Sequence, residues 1–415
     1  MLVSVKIDMY GLTLGVRKGI VGPHPPMSIS ATQEGIRMKD SEPITRLITP
    51  AGDPAWLVTG YEEVKQLFSD PRLGRSHPVP ERAAQLVRSP VLTQSLVTGD
   101  TEQADHQRMR RLLSKAFSAR RMAALQPRVA TLVEQAVEEL LERTPPVDFH
   151  DAFSFPLPAM VICQLLGVPE DDRDDFRAWC EDMAQVNDRV RAESGSAKLR
   201  DYLIELVRHK RSRPGSDVIS DLAAAEARAE LTRHEVIKYS TMLLFAGHVT
   251  TATAIDKGIV LLHENPHQWE ALRRDPSLVP PAVEEILRSS LPAGDQAARP
   301  EYGPLRYANA DFDLAGVTIK AGDLVVLSGP LANLDERVFP DPHRFDIGRE
   351  DNQHLAFGRG TYFCLGAPLA RIELRAVFTT LPRHLPRLRV AIPVERLRRH
   401  TGLIHTALTE LPVTW

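Results

Sequence analysis

From Thr232 to Pro266 the chain runs without a proline, and the run opens with Thr232-Arg233-His234-Glu235, the pattern of a capping box. At 1.5 Å per residue, roughly thirty residues make a helix of about 45 Å, long enough to cross a whole domain. Everything else must be arranged around such a rod. Near its middle lies Ala246-Gly247-His248-Val249-Thr250-Thr251, a cluster of poor helix formers where an interruption costs stability. A break in local consistency of this kind marks a functional position.

The remaining pattern is mostly helical. Residues 44–59 read as a hairpin around the turn Ala51-Gly52-Asp53-Pro54, followed by a helix from Tyr61 to Ser69. A long helical body begins near Asp105, a further helix surrounds Glu285, and a β-rich region runs from Arg306 to Leu327. No internal repeat is present, so the expected fold is mainly α with small β-sheets. The 415 residues contain no low-complexity linker, which predicts one large unit over residues 27–415. Residues 1–26, ending in Gly22-Pro23-His24-Pro25-Pro26, read as a surface arm.

With 43% hydrophobic residues and a net charge of −3, the chain can bury a sizeable core and has no overall electrostatic reason to bind nucleic acid. Three cysteines fit a reducing compartment, the cytoplasm, better than a disulfide framework. The stretch Met1 to Asp8 is too short and too polar for a membrane anchor or signal peptide.

Chemistry concentrates in Phe357-Gly358-Arg359-Gly360-Thr361-Tyr362-Phe363-Cys364-Leu365-Gly366. A thiolate that approaches a flat macrocycle needs glycines where other residues would clash, and Gly358, Gly360 and Gly366 supply them. Apolar residues at helical spacing follow from Ala367, so Cys364 should sit at a helix N-terminus whose amides favour an anionic sulfur. A cysteine ligand donates electron density to haem iron and favours O–O cleavage. Cys163 and Cys180 read as small buried thiols instead. Elsewhere, Glu285 and Arg288 stand three apart on one helical face, a spacing that permits a salt bridge.

Phe357, Gly360, Cys364 and Gly366 match the signature loop of the cytochrome P450 haem-thiolate enzymes, and the resemblance extends from about Ile44 to the end. The resemblance is also to actinobacterial enzymes of natural-product biosynthesis. It implies the triangular P450 fold, haem b as cofactor and Cys364 as the metal ligand, with Phe357, Gly358 and Gly366 shaping the cofactor loop. Tyr362 stands where a histidine that contacts a haem propionate is usual, and it retains a hydrogen-bond donor. By the same resemblance, His106, Arg110 and Arg306 hold propionates, with Arg299 the alternative to Arg306. Arg344 becomes a second arginine for Glu285, completing a structural trio with Arg288.

On the long helix, Ala246, Gly247, Thr250 and Thr251 fall at the family's oxygen-activation segment. Thr250 matches the threonine that organises protons, whereas Val249 replaces the acid usual before it and cannot relay a proton. His248 points elsewhere on the helix and reads as structural.

The resemblance places pocket walls at residues 76–96, residues 176–190, Phe245, Ala246 and Val249, the stretch Leu291 to Gly294 with Ala293, and the turn ending at Ile404. The expected activity is hydroxylation or epoxidation of a medium-sized hydrophobic polyketide, macrolide or terpenoid. Electrons would come from a separate ferredoxin and ferredoxin reductase, since no flavin or nicotinamide domain is visible. Arg108, Arg111, Lys115, Arg120 and Arg121 offer a basic run to such a partner, or a solvated helix face. The protein is expected to be a monomer. Val249 motivates an alternative of oxidative coupling, rearrangement or peroxide-supported oxidation; a non-enzymatic haem-binding scaffold is the third reading.

Overall fold

A computed structural model describes residues 42–86, 102–183, 189–290, 303–399 and 408–415. The arm expected over residues 1–26 lies outside them. The chain begins with strands β1 (Ile44–Ile48) and β2 (Pro54–Val58), paired antiparallel from Ile44 opposite Val58. Their turn uses Gly52 at φ +90°, a conformation that glycine adopts without strain. Helix α1 (Tyr61–Leu67) and the short strand β3 (Leu73–Gly74) follow.

Helices then dominate. These are α2 (Glu102–Leu113), α3 (Ala119–Leu141), α4 (Pro156–Leu166), α5 (Arg173–Met183), α6 (Arg189–Ser212), α7 (Val218–Ala227), α8 (Arg233–Glu264), α9 (Pro266–Arg274) and α10 (Val279–Arg288). Strand β4 (Val147–Asp148) interrupts the series after α3. Amphipathic spacing explains α3, whose Leu125, Val129, Leu132, Val133, Ala136 and Leu140 are all buried. Helix α4 is buried almost all round, as a central helix must be.

The β-rich segment gives β5 (Leu305–Ala308), β6 (Phe312–Leu314), β7 (Val317–Ile319) and β8 (Leu324–Leu327). A five-stranded sheet has the order β1-β2-β8-β5-β3, with β2 and β8 parallel. Leu324 to Leu327 are all buried, which is why β8 reads as a continuous apolar run. Strands β6 and β7 form a tight hairpin through Ala315 and Gly316, at φ +48° and +80°. After α11 (Gly329–Ala332) and α12 (Ala367–His384), β9 (Arg389–Val390) and β10 (Pro412–Thr414) join β4 in a small sheet with β10 central.

Helix α8 carries 32 residues, about 47 Å. Thr232 Oγ1 accepts from the Glu235 amide at 3.2 Å, and Glu235 Oε2 accepts from the Thr232 amide at 2.8 Å, closing the capping box. Two contacts fix its C-terminal half. His150 Nδ1 lies 2.6 Å from the buried Asp256 Oδ2, tying α8 to the π-helical turn His150–Ser154 that precedes α4. At Gly258 a Cβ would lie 2.2 Å from the ring of Phe378, so the missing side chain lets α8 and α12 cross closely.

Candidate active site

The cysteine loop is held against the first helix before it reaches α12. Gly358 and Gly360 adopt φ +65° and +66°, and a Cβ on Gly360 would come within 3.0 Å of the Ser69 backbone. A single 3₁₀ turn, Gly360–Tyr362, then delivers Cys364, whose amide donates to Phe357 O at 2.9 Å. Cys364 is solvent-accessible, yet burial of its surroundings raises the thiol pKa against the opposing pull of the Gly366 and Ala367 amides. The helix N-terminus expected to favour a thiolate is therefore present but outweighed by desolvation. A bound cation would complete the deprotonation.

Phe357 is fixed from behind. The Arg371 guanidinium lies 4.5 Å from its ring centroid and makes paired bonds of 2.8 and 2.7 Å to Glu284. His354 adds a third contact at 3.1 Å, and these partners hold the Glu284 carboxyl down at about 2 against the opposing effect of burial. The sequence reading missed Glu284, although its adjacency to Glu285 was visible.

Glu285 and Arg288 are fully buried and joined by two bonds of 2.8 Å. Arg288 also donates to Asn333 O and Pro342 O, at 3.0 and 2.9 Å. The expected third member is corrected by the structure. Arg344 points its side chain outward to Asp346 and is 65% exposed, whereas Arg349 reaches Glu285 at 3.2 Å. The turn closed by Arg344 N to Asp341 O turns the Arg344 carbonyl inward, where Arg349 Nη2 donates to it at 2.8 Å. Asn352 Nδ2 and the Asp346 amide complete the shell around Glu285, at 3.0 and 3.1 Å. Arg349→Leu is accordingly expected to destabilise the fold by about 1–3 kcal/mol in urea unfolding, since it strips a hydrogen bond from a buried charge. Arg344→Leu should stay within about 0.5 kcal/mol.

A cationic cluster adjoins the cysteine loop. Arg306, buried on β5, and Arg75 both place their guanidinium carbons 4.5 Å from the Tyr362 ring centroid. Burial pulls Arg306 down to about 10, helped by the Arg75 charge. Arg110 Nη1 donates to Phe363 O at 2.6 Å. His106 packs on Tyr362 at 4.4 Å, and burial, Arg75 and Arg110 push it down to about 4, so it is neutral at pH 7. Among the described residues its Nδ1 is buried without a partner. Among the described residues, none of these three arginines has a salt bridge. Among the described residues the carboxylate beside them is Glu102, which accepts from the Tyr362 hydroxyl at 2.7 Å. Such a set has unspent donors for added carboxylates, and a dicarboxylate macrocycle such as haem b fits it. Arg299, the alternative to Arg306, lies outside the described residues.

On α8, Ala246 and Thr250 are exposed and one turn apart, with Thr250 Oγ1 donating to Ala246 O at 2.9 Å. Thr251 is buried and donates to Gly247 O at 2.8 Å. Only the first threonine is therefore accessible. Gly247 serves packing, since a Cβ there would lie 3.2 Å from Ile162 of α4. His248 faces the opposite way, buried with Nε2 2.8 Å from Phe155 O, and burial lowers it to about 4. Val249 is half-buried.

Of the expected pocket walls, Leu291, Ala293 and Ile404 lie outside the described residues, as does the side chain of Phe245. Phe176 is fully buried against Tyr202 and belongs to the core, not to a wall. In the basic run, Arg108 is paired with Glu235 and Arg121 with Asp221, while Arg111, Lys115 and Arg120 are exposed. Among the described residues no helix is long and apolar enough to cross a membrane.

Comparison with known proteins identifies the family and the fold. The family model "Cytochrome P450" matches residues 153–393. Pentalenolactone synthase of Streptomyces exfoliatus is 41% identical over 378 residues, covering 90% of this chain and 93% of that protein. Mycinamicin IV hydroxylase/epoxidase of Micromonospora griseorubida is 36% identical over 411 residues, covering 98% and 97%. The structure of substrate-free PimD, a polyene macrolide antibiotic pimaricin epoxidase, superposes with a TM-score of 0.80 at 41% identity, covering 90% and 93%. This chain belongs to the cytochrome P450 family and is a monooxygenase of the kind that binds haem b through a cysteine thiolate.

Proposed function

We propose that the protein hydroxylates or epoxidises a medium-sized hydrophobic natural product, a macrolide, polyketide or terpenoid, with electrons from a separate ferredoxin and its reductase. The observation that carries the reading is the cysteine loop standing beside three arginines free of salt bridges among the described residues, in a chain whose long helix exposes Ala246 and Thr250. The substrate class is supported by relatives named for pentalenolactone, mycinamicin and pimaricin.

Cys364 would supply the iron's sulfur ligand, Arg110 and Arg306 would neutralise the haem carboxylates, and the uncharged His106 would help to orient them. When bound, haem supplies oxygen activation, and thiolate donation favours O–O cleavage. The chain's own contribution is to keep a proton available at the Thr250 hydroxyl, whose contact with Ala246 O holds it at the exposed face of α8. Val249 cannot pass a proton to it. Water or a hydroxyl of the substrate therefore has to supply it. Exposed Arg111, Lys115 and Arg120 give an acidic ferredoxin a surface to meet.

Titrating the ferric protein with macrolide, polyketide, terpenoid and aromatic-peptide scaffolds tests the reading. A saturable low-spin to high-spin change with one class, followed by product heavier by one oxygen, is the expected result. Coupled or desaturated product masses would instead favour the second reading, which Val249 motivates. Val249→Asp is expected to raise the rate of product formation by up to about a hundredfold, the low end for a positioned proton-transfer group, without altering the spectral affinity. An unchanged rate would mean that the proton already arrives by another route.

A further inference from the structure

The Tyr362 ring is shared by two guanidiniums, and only one of them belongs to a residue that the resemblance assigned. Arg75 follows β3 immediately, and its position is set by Glu102. That carboxylate accepts from the Arg75 amide at 2.7 and 2.9 Å and from the Ser76 amide at 2.8 Å. It also accepts from the Tyr362 hydroxyl at 2.7 Å. Glu102, itself buried, thus joins three segments distant in sequence: the β3 exit, the start of α2, and the residue two before Cys364. A carboxylate so fully occupied fixes the Arg75 backbone rather than consuming its guanidinium, which makes no salt bridge among the described residues.

Charge counting gives this arrangement a purpose. Arg75, Arg110 and Arg306 contribute three positive charges, Glu102 removes one, and neutral His106 adds none. Two positive charges remain for a ligand with two carboxylates. Without Arg75 only one would remain. Two partly desolvated guanidiniums against one ring repel each other, so the geometry is favourable only where anions meet them. We propose that Arg75 is a further carboxylate-binding arginine of the haem site, and that Glu102 is the positioning residue that aims it.

The proposal rests on the haem reading, and the two can fail separately. Wild-type protein that takes up no haem, judged by absorption, would sink the haem reading itself. With haem bound, the test measures transfer from the ferric holoprotein to excess apomyoglobin, together with the midpoint potential, for wild type, Arg75→Gln, Arg75→Lys and Glu102→Gln. Arg75→Gln should release haem about tenfold faster, the loss of a charge-assisted bond, while Arg75→Lys stays within about threefold of wild type. Ferric haem carries one more positive charge than ferrous haem. Losing a nearby cation therefore lowers the potential in Arg75→Gln, and losing a nearby anion raises it in Glu102→Gln.

A guanidinium that merely stacked on Tyr362 would leave the rate of haem release unchanged in Arg75→Gln, so release identifies the carboxylate contact, while the opposite signs place both charges beside the haem. Wild-type transfer from Arg75→Gln, or potentials that move the same way in the two neutralised variants, would overturn the proposal. If Arg75→Gln is recovered without haem, Arg75→Lys decides: retention of haem supports the assignment, and equal loss refutes it.

Discussion

Arg288→Ala is expected to leave little folded protein. Glu285 and Arg288 are completely excluded from solvent, so removing the guanidinium strands a carboxylate whose remaining contacts were arranged around an ion pair. Breaking a buried pair from one side typically costs about 3–5 kcal/mol, against a total stability of roughly 5–15 kcal/mol. The loss also frees Asn333 O and Pro342 O, which accept from Arg288 and anchor the loop leading to the cysteine segment. Urea unfolding of soluble variant should show a midpoint far below that of Arg349→Leu. A midpoint near wild type would mean that the pair contributes no more than a surface contact.

Cys364→Ser is expected to change the chemistry with far less effect on the fold. Serine is nearly isosteric, and the Cys364 amide would still donate to Phe357 O. What disappears is a soft anionic sulfur, because a serine hydroxyl does not ionise near neutral pH. Monooxygenation should fall by at least about a hundredfold, equivalent to ~2.7 kcal/mol on the barrier, and the thiolate signature of the haem spectrum should vanish. Circular dichroism should remain close to wild type. Retention of the thiolate signature in this variant would remove Cys364 from the iron and send the search to Cys163, whose burial pushes its thiol to about 12.

The parts of this molecule readable from sequence are those governed by neighbours along the chain. Thr232 and Glu235 are three residues apart and announce the start of α8; the absence of proline up to Pro266 gives its end. Glu285 and Arg288 are readable for the same reason. The resemblance assigns Arg344 to Glu285 and offers no sign of Arg349, because nothing local reveals which residue a turn will direct inward, and the deciding contact closes onto a helix far back in the sequence. Glu102 is harder still, since its bond to Tyr362 spans 260 positions. Gly247 lies within a motif that suggests chemistry, while its missing side chain makes room for Ile162 of a different helix. Packing of that kind leaves no periodic trace.

The crossing of α8 and α12 at Gly258 and Phe378 makes one point of contact the reference for two working surfaces. Thr250 lies eight residues back along α8, about 12 Å, while α12 begins just after the cysteine. The assembly behaves as a caliper with its screw at Gly258, where even one methyl group would have to displace a buried ring. Breeding the enzyme toward bulkier substrates would then proceed through its walls, with Gly258 held constant, because a variant altered there loses the gauge to which both jaws are set.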